Sequence, residues 1–386
     1  MTTHVFIVDD TTFKIHLEYM FAGTGANEKE IDFNNTSDTK LYAGKKFAGE
    51  NLLVAMMADG CRVRKGDLII FYVQEKSQKH DGLFYGIFQA TENGIFLDNN
   101  DGKQFLKNDL KKSLTFRLKI KPYEVYSKGV TEWEALDEIK SICSPYQMLW
   151  SLIYRKLRGN RGNTMITIYE SERLISLIRN KNKNKTIKHQ SQGVSYDSTT
   201  YSIITTKNNF SYTGREEQIN INPRLITKYN AGLAHEVHLQ MYITQNIGLG
   251  TNQSLDNALG VTGKKIEWLG NEVSCGVGMQ RIDVMFSVFE SETKRILCPI
   301  ELKAVPASAE NTRQLNRYID WIEQYYIPNR ISIIQPILIC RKGKYGISNA
   351  LKQNFYDFNK RKGILSLKYI EYEVVNNNLV FTIIPY

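Results

Sequence analysis

The chain has 386 residues, 42% hydrophobic and 23% charged, which allows two domains of ordinary size with their own cores and excludes a disordered protein. No apolar run approaches the ~18 residues of a membrane helix, and the first ten residues lack the basic segment and long apolar core of a secretion signal, so a cytoplasmic, intracellular protein of prokaryotic type with no membrane partner is expected. Fifty Lys and Arg against forty Asp and Glu leave +10, which favours polyanionic partners, and five dispersed cysteines without a C-x-x-C pair are expected to be reduced core thiols.

Residues 1 to about 125 alternate short apolar runs with turn chemistry. The runs at 5–8, 68–73, 83–88 and 116–121 read as strands, the last with period-two alternation, and Asp81-Gly82 and Asp101-Gly102 are hairpin dipeptides. Strands this short and this closely spaced predict a small barrel, with helices over 13–20 and 50–58 covering it. From 131 the period lengthens, and 131–140, 147–157 and 170–179 place apolar residues at helical spacing. Between 151 and 190, ten basic residues stand against Glu170 and Glu172. The loop Arg158-Gly-Asn-Arg-Gly-Asn163 combines two glycines with two arginines and is suited to approach a phosphate backbone closely. Arg155, Lys156, Arg158 and Arg161 are therefore candidate DNA contacts, with a plain solvated connection as the alternative.

Asn180-Lys-Asn-Lys-Asn-Lys-Thr186 is polar, basic and of low complexity, and the thirty residues after it are rich in Ser, Thr, Asn and Tyr. The expected division is a first domain over 1–180, a polar basic linker region over 181–222 that includes a short strand at 201–206, and a second domain over 223–386. Asn222-Pro223 is a helix start signal. A helix over 233–246 carries Glu236 and ends at Gly248 and Gly250. Two strands around Asp283 and Glu301 follow, then a helix over 308–326 with Leu315, Ile319, Ile322 and Tyr326 facing the core. Gln314, Tyr318, Trp321 and Tyr325 form an adjacent stripe on that helix. A buried strand over 331–340, a helix over 350–361 and closing strands complete a mixed sheet flanked by helices.

The chemistry concentrates in two strands, Arg281-Ile-Asp-Val-Met-Phe286 and Leu297-Cys-Pro-Ile-Glu-Leu-Lys303. Alternation places Glu301 and Lys303 on one side of their strand, and a polar turn around 290–294 would bring Asp283 beside Glu301. Two close carboxylates are costly to ionise together unless a hard cation sits between them, so the constellation suggests Mg²⁺ as cofactor and phosphodiester hydrolysis, with Lys303 polarising the attacking water or neutralising developing charge.

Asp283 followed by Glu301-Leu302-Lys303 resembles the D…ExK signature of the PD-(D/E)XK nucleases. Gln314-Leu315-Asn316-Arg317-Tyr318 resembles the Q-L-x-R-Y helix of the NucS-type branch, and Glu236 and Gly276-Val277-Gly278 stand where that branch has a first-helix glutamate and a glycine-containing turn. The resemblance covers about 230–340, with Ile282 in place of the superfamily's proline. It implies an α/β nuclease core, Glu236, Asp283 and Glu301 as metal ligands, and Lys303 and Gln314 completing the catalytic set, Gln314 hydrogen bonding to the metal-bound water. Gly66-Asp67 opening a strand that ends in Phe71-Tyr72, with the 150–163 segment, resembles the EVE and PUA-like superfamily. This implies an α+β small barrel with helices that binds nucleic acid and, in several members, holds a modified base in an aromatic pocket. Phe21, Trp133 and Trp150 are candidates for that pocket by residue type, with core packing as the alternative. The combined expectation is a restriction-type DNA endonuclease, type II or modification-dependent, that cuts double-stranded DNA as a homodimer, with the Tyr318, Trp321, Tyr325 stripe as a candidate interface. The alternatives are a NucS-like repair endonuclease acting on mismatched or branched DNA, and a non-catalytic nucleic-acid-binding module.

Overall fold

The structure, a computed structural model, describes residues 1–25, 30–33, 49–75, 80–137, 140, 142–143, 147–155, 157, 161–188, 192–275, 280–292, 294–327 and 330–386, the side chains of residues 154 and 155 excepted. The chain divides into two compact units, Met1–Ile219 and Asn220–Tyr386.

The first unit runs β1 (Thr3–Val8), α1 (Asp10–Glu18), β2 (Phe21–Thr24), α2 (Glu50–Cys61), β3 (Leu68–Val73), β4 (Leu83–Ala90), β5 (Phe96–Leu97), α3 (Lys107–Leu110), β6 (Phe116–Pro122), β7 (Val130–Thr131), a π-helical turn (Trp133–Asp137), α4 (Trp150–Arg155), β8 (Asn163–Ile166), α5 (Ile168–Lys181), β9 (Gly193–Asp197) and β10 (Ser202–Thr206). Its main sheet follows the order β2-β6-β4-β3-β1-β8, with β5 on β6 and β7 on β4. The path is a curled, half-barrel-like sheet ending at β2 and β8, where the sequence suggested a barrel. It is mixed: β1 lies parallel to β3 and antiparallel to β8.

The continuous apolar runs of β1 and β3 follow from burial on both faces. Ile69, Phe71 and Val73 pack with Phe13 and Leu17 of α1, while Leu68, Ile70 and Tyr72 pack with Leu174, Ile175 and Ile178 of α5. α5 begins with a full capping box, Thr167 and Glu170 exchanging side-chain and backbone bonds. Of the helix expected over 131–140 the described residues show the π-helical turn Trp133–Asp137, and β2 and β8 are strands beyond those expected from the sequence.

The stretch expected to be a linker is the larger correction. β9 and β10 form an antiparallel hairpin whose alternate residues Val194, Tyr196 and Ile203 belong to the same core cluster as Phe13, Phe71 and Tyr85. The Tyr196 ring packs against the Phe13 ring in a tilted arrangement, with centroids 4.9 Å apart. The hairpin thus belongs to the first unit, and the division falls forty residues later than 180, at Ile219 and Asn220.

The second unit runs α6 (Asn222–Asn230), α7 (Glu236–Asn246), α8 (Gln253–Leu259), β11 (Lys265–Ser274), β12 (Arg281–Ser291), β13 (Lys294–Lys303), α9 (Ala309–Tyr325), β14 (Ile333–Ile334), β15 (Ile337–Arg341), α10 (Asn349–Phe358), β16 (Lys368–Val375) and β17 (Asn378–Ile383). The sheet order is β11-β12-β13-β15-β16-β17, with β14 on β13. It is mixed, as expected: β13, β15 and β16 are parallel neighbours, and the outer pairs are antiparallel. The single buried strand predicted over 331–340 is broken in two at Gln335-Pro336, because proline cannot donate to the ladder, and Ile331 is exposed.

The hairpin correction generates a measurable expectation. Tyr196→Ala should destabilise the first unit by about 3–5 kcal/mol, the cost of removing a large buried aromatic. Urea unfolding of the full chain should lose its midpoint for that unit accordingly; an unchanged midpoint would mean that the hairpin is not part of the core.

Candidate active site

The site is built on the β12–β13 hairpin. Val284 pairs with Ile300 and Met285 with Pro299, so the same register carried one residue further sets Asp283 opposite Glu301. Lys303, two residues on, shares the Glu301 face. All three lie near the carboxyl end of β13, where β15 runs parallel to it and pairs Lys303 with Cys340.

Each functional group is held by a specific partner. The backbone N–H of Leu302 donates to Asp283 Oδ2 at 2.8 Å. Tyr318, on α9, donates its hydroxyl to Glu301 Oε2 at 2.6 Å, and Lys303 Nζ stands 2.6 Å from Glu301 Oε1. The same Nζ reaches Glu236 Oε1, on the first residue of α7, at 3.5 Å. α7 is fixed against β12 by Gln240, whose side-chain amide donates to the Asp283 carbonyl at 2.8 Å. Its start is held by His235, whose Nδ1 lies 2.8 Å from the Leu233 carbonyl and whose Nε2 lies 2.7 Å from the Tyr372 hydroxyl. Burial keeps that imidazole below its ordinary pKa.

The electrostatics follow from packing two acids into little water. Glu301 is 1% exposed. Burial, and next the charge of Glu301, hold the Asp283 carboxyl well above the usual carboxylate range, although as a residue Asp283 is only half-buried. Burial alone would lower the Lys303 ammonium, but Glu301, Glu236 and Asp283 together raise it, so this lysine remains a cation at neutral pH. Burial and the nearby Glu301 and Asp283 charges raise the Tyr318 phenol, which therefore remains a donor. Cys275, beside the pair, is pushed up to about 12 by burial and then by Glu301 and is an inert thiol.

The residues singled out in the sequence divide into three groups. Asp283, Glu301, Lys303 and Glu236 come together. Gln314 is half-buried one turn before Tyr318 on α9; the contact to Glu301 is made by Tyr318. Tyr318 is thus 5% exposed and bound inward, which removes it from the expected interface stripe, while Trp321 and Tyr325 are half-buried with their rings 6.2 Å apart. Glu236 is on the rim with its side chain 48% exposed, and among the described residues no group of three or more His, Cys, Asp and Glu is gathered closely enough to hold a metal ion. The three expected metal ligands are therefore present as one close pair and one flanking acid. Glu272 on β11 is a further nearby carboxylate, matched by Arg281 at 2.7 Å. Gly276-Val277-Gly278 lie outside the described residues.

The expected DNA contacts of the first unit fare differently. Lys156 and Arg158 lie outside the described residues, as does the side chain of Arg155. Arg161 turns inward: its Nε donates to Asp59 Oδ2 at 2.6 Å and an Nη to the Ala55 carbonyl at 2.9 Å. Asp59 is fully buried and also binds Arg62 at 2.6 Å, so Arg161 serves that buried acid. Arg179 and Lys181 pair with Glu124 and Glu134, whereas Lys183, Lys185 and Lys188 are exposed. Phe21, considered for an aromatic pocket, is completely buried in a cluster with Ile15, Leu110 and Leu114, and Trp133 is 62% exposed.

No family model and no curated protein matches this chain. A solved structure described as a hypothetical protein from Leishmania major aligns at 9% identity with a TM-score of 0.28, covering 47% of this chain and 96% of that one.

Two expectations test this geometry. Tyr318→Phe leaves Glu301 Oε2 buried without its donor and should cost about 1–3 kcal/mol in denaturant unfolding; no loss would mean that the hydroxyl is not bound there. Asp283 titrates above its unfolded value, so its ionisation opposes folding as pH rises from ~4 towards the higher folded value. Asp283→Asn, assayed in chelator, should therefore raise the melting temperature at pH 7 and lose that gain below pH ~4. A gain that persisted in acid would assign the effect to packing.

Proposed function

We propose that this protein is a Mg²⁺-dependent DNA endonuclease of restriction type, type II or modification-dependent, with hydrolysis of double-stranded DNA performed by the second unit. The observation that supports this reading most is the antiparallel register that sets Asp283 against Glu301, with Lys303 bridging Glu301 and Glu236. The resemblance of Asp283, Glu301-Leu302-Lys303 and the Gln314 helix to the PD-(D/E)XK nucleases points the same way.

The donor set fits a hard cation. Two facing acids oppose each other's ionisation, and a divalent ion between them removes that opposition. Asp283 and Glu301 would hold Mg²⁺, with Glu236 as a flanking acid. Bound there, the ion would supply Lewis acidity towards a phosphoryl oxygen and acidify a water. The Leu302 N–H orients Asp283, and Tyr318 orients Glu301. Lys303, held as an ammonium, is suited to stabilise negative charge developing on the phosphodiester rather than to take a proton from water. Gln314, on the Tyr318 face of α9, is assigned to hold the attacking water. In the first unit, DNA reading rests on the exposed Lys183, Lys185 and Lys188. Cutting both strands with one such site per chain calls for a second copy, which is why a homodimer belongs to the proposal.

The test is incubation of modified and unmodified plasmid with the protein and Mg²⁺, followed by mapping of the ends. Asp283→Ala and Glu301→Ala should each abolish cleavage, and Lys303→Ala should lower its rate by ~10²-fold or more. Retained cleavage in either carboxylate variant would overturn the reading.

A further inference from the structure

A second basic element lies beside the candidate site, between the strand expected over 331–340 and the helix expected over 350–361. β15 ends in Arg341 and continues as Lys342-Gly-Lys-Tyr-Gly346 before α10. β15 runs parallel to β13, and Cys340 pairs with Lys303, so this loop leaves the sheet at the same edge as Lys303. In open sheets with parallel strands, that carboxyl edge is where ligands bind. The loop also abuts the segment that follows Lys303: a Cβ on Gly343 would stand 3.7 Å from Pro306.

The charges in this loop are not all equivalent. Lys342 is paired with Glu373 at 2.7 Å. Arg341 and Lys344 have no carboxylate partner among the described residues. The Arg341 guanidinium lies over the Tyr229 ring at 4.1 Å, half-buried and in register with Tyr372, whose hydroxyl contacts His235, the residue before Glu236. Lys344 lies over the ring of Tyr345 at 5.3 Å, and Tyr345 is 88% exposed. An aromatic of this size left in water beside the Lys344 ammonium, on a loop that starts from Arg341 and leaves the sheet at the Lys303 edge, has the chemistry of a single-strand contact: cations for phosphates, and a ring face for a base.

We propose that Arg341, Lys344 and Tyr345 form a nucleic-acid-binding rim of the second unit, which holds the phosphodiester strand next to the Asp283–Glu301 pair. The partner is a polynucleotide strand, recognised by backbone charge and base stacking without sequence readout. The inference rests on the proposed function for its placement at the cleavage site, but its binding step requires no hydrolysis.

The experiment is fluorescence anisotropy of the full chain with labelled single-stranded and duplex oligonucleotides in chelator, over a salt series. The variants are Lys344→Ala/Tyr345→Ala and the same pair with Arg341→Ala, beside a Lys183→Ala/Lys185→Ala/Lys188→Ala control in the first unit. Losing one base stack should weaken binding by about tenfold. Losing both phosphate contacts should reduce the log–log salt slope by about 0.9 per contact on duplex and 0.7 on single strands. The double variant touches only exposed side chains, so its melting temperature should be unchanged, and it keeps the test valid if Arg341→Ala disturbs the Tyr229 contact. Wild-type affinity and slope in both rim variants would overturn the inference. If the wild-type chain binds through the rim but cleaves nothing with Mg²⁺, the hydrolytic reading fails and the rim stands; if it cleaves while the rim variants bind normally, the rim alone is wrong.

Discussion

The second unit depends on one constraint, the register between β12 and β13. Side chains on a strand alternate with period two, so a slip of one residue would turn Asp283 away from Glu301 and bury a different set of residues. The ladder guards against this slip. It is continuous from Val288 opposite Ile296 to Val284 opposite Ile300, and its irregularity falls between Phe289 and Ser291, at the end far from the acids. Val284, Met285, Phe286, Leu297 and Ile300 are fully buried, so the register is fixed by the core and the carboxylates are placed by it. The site thus inherits its geometry from hydrophobic packing that has no chemical role of its own.

Packing at the end of the strands then does the electrostatic work. α9 brings Tyr318 to one oxygen of Glu301, while Lys303 takes the other, so a carboxylate that is almost wholly withdrawn from water has both oxygens engaged. Asp283 has fewer compensating bonds, and it is the acid whose ionisation is opposed. This asymmetry between two acids a single strand apart is what environment imposes on paired carboxylates, and it leaves the pair receptive to positive charge. The Lys303 ammonium satisfies part of that demand. α7 brings Glu236 towards the same nitrogen, and the His235–Tyr372 bond fixes where that helix begins.

How much of this was legible in the sequence depended on range. Asp283, Glu301 and Lys303 were readable because strand alternation and a short polar turn are local signals, and the observed hairpin follows from them. The helix expected over 308–326 was readable from its apolar spacing, and the structure places it at Ala309–Tyr325 with Ser308 as its cap. Tyr318 was misplaced because helical spacing groups it equally with Gln314 and with Trp321, and only the position of α9 over β13 decides that its hydroxyl meets Glu301. Arg161 reads as a candidate phosphate contact in sequence because its partner, Asp59, is 102 residues away and invisible to spacing. Of the hairpin at 193–206 the strand over 201–206 was legible, but its partner and its place in the core were hidden by composition: Val194, Tyr196 and Ile203 anchor a segment otherwise made of residues typical of linkers. The basic and aromatic residues of the loop after Arg341 gain a meaning only from the parallel pairing of β15 with β13, which spacing along the chain does not show.

The central claim is that Asp283 and Glu301 form a pair completed by a divalent cation. The most direct measurement is calorimetric titration of Mg²⁺ into the full chain near neutral pH in buffers of different ionisation enthalpy. The account predicts saturable binding with protons released, since the cation favours the ionised form of an acid that burial holds protonated to higher pH, and loss of both heat and proton release in Asp283→Asn. Binding of the same strength in that variant, or no binding to the wild-type chain, would contradict it.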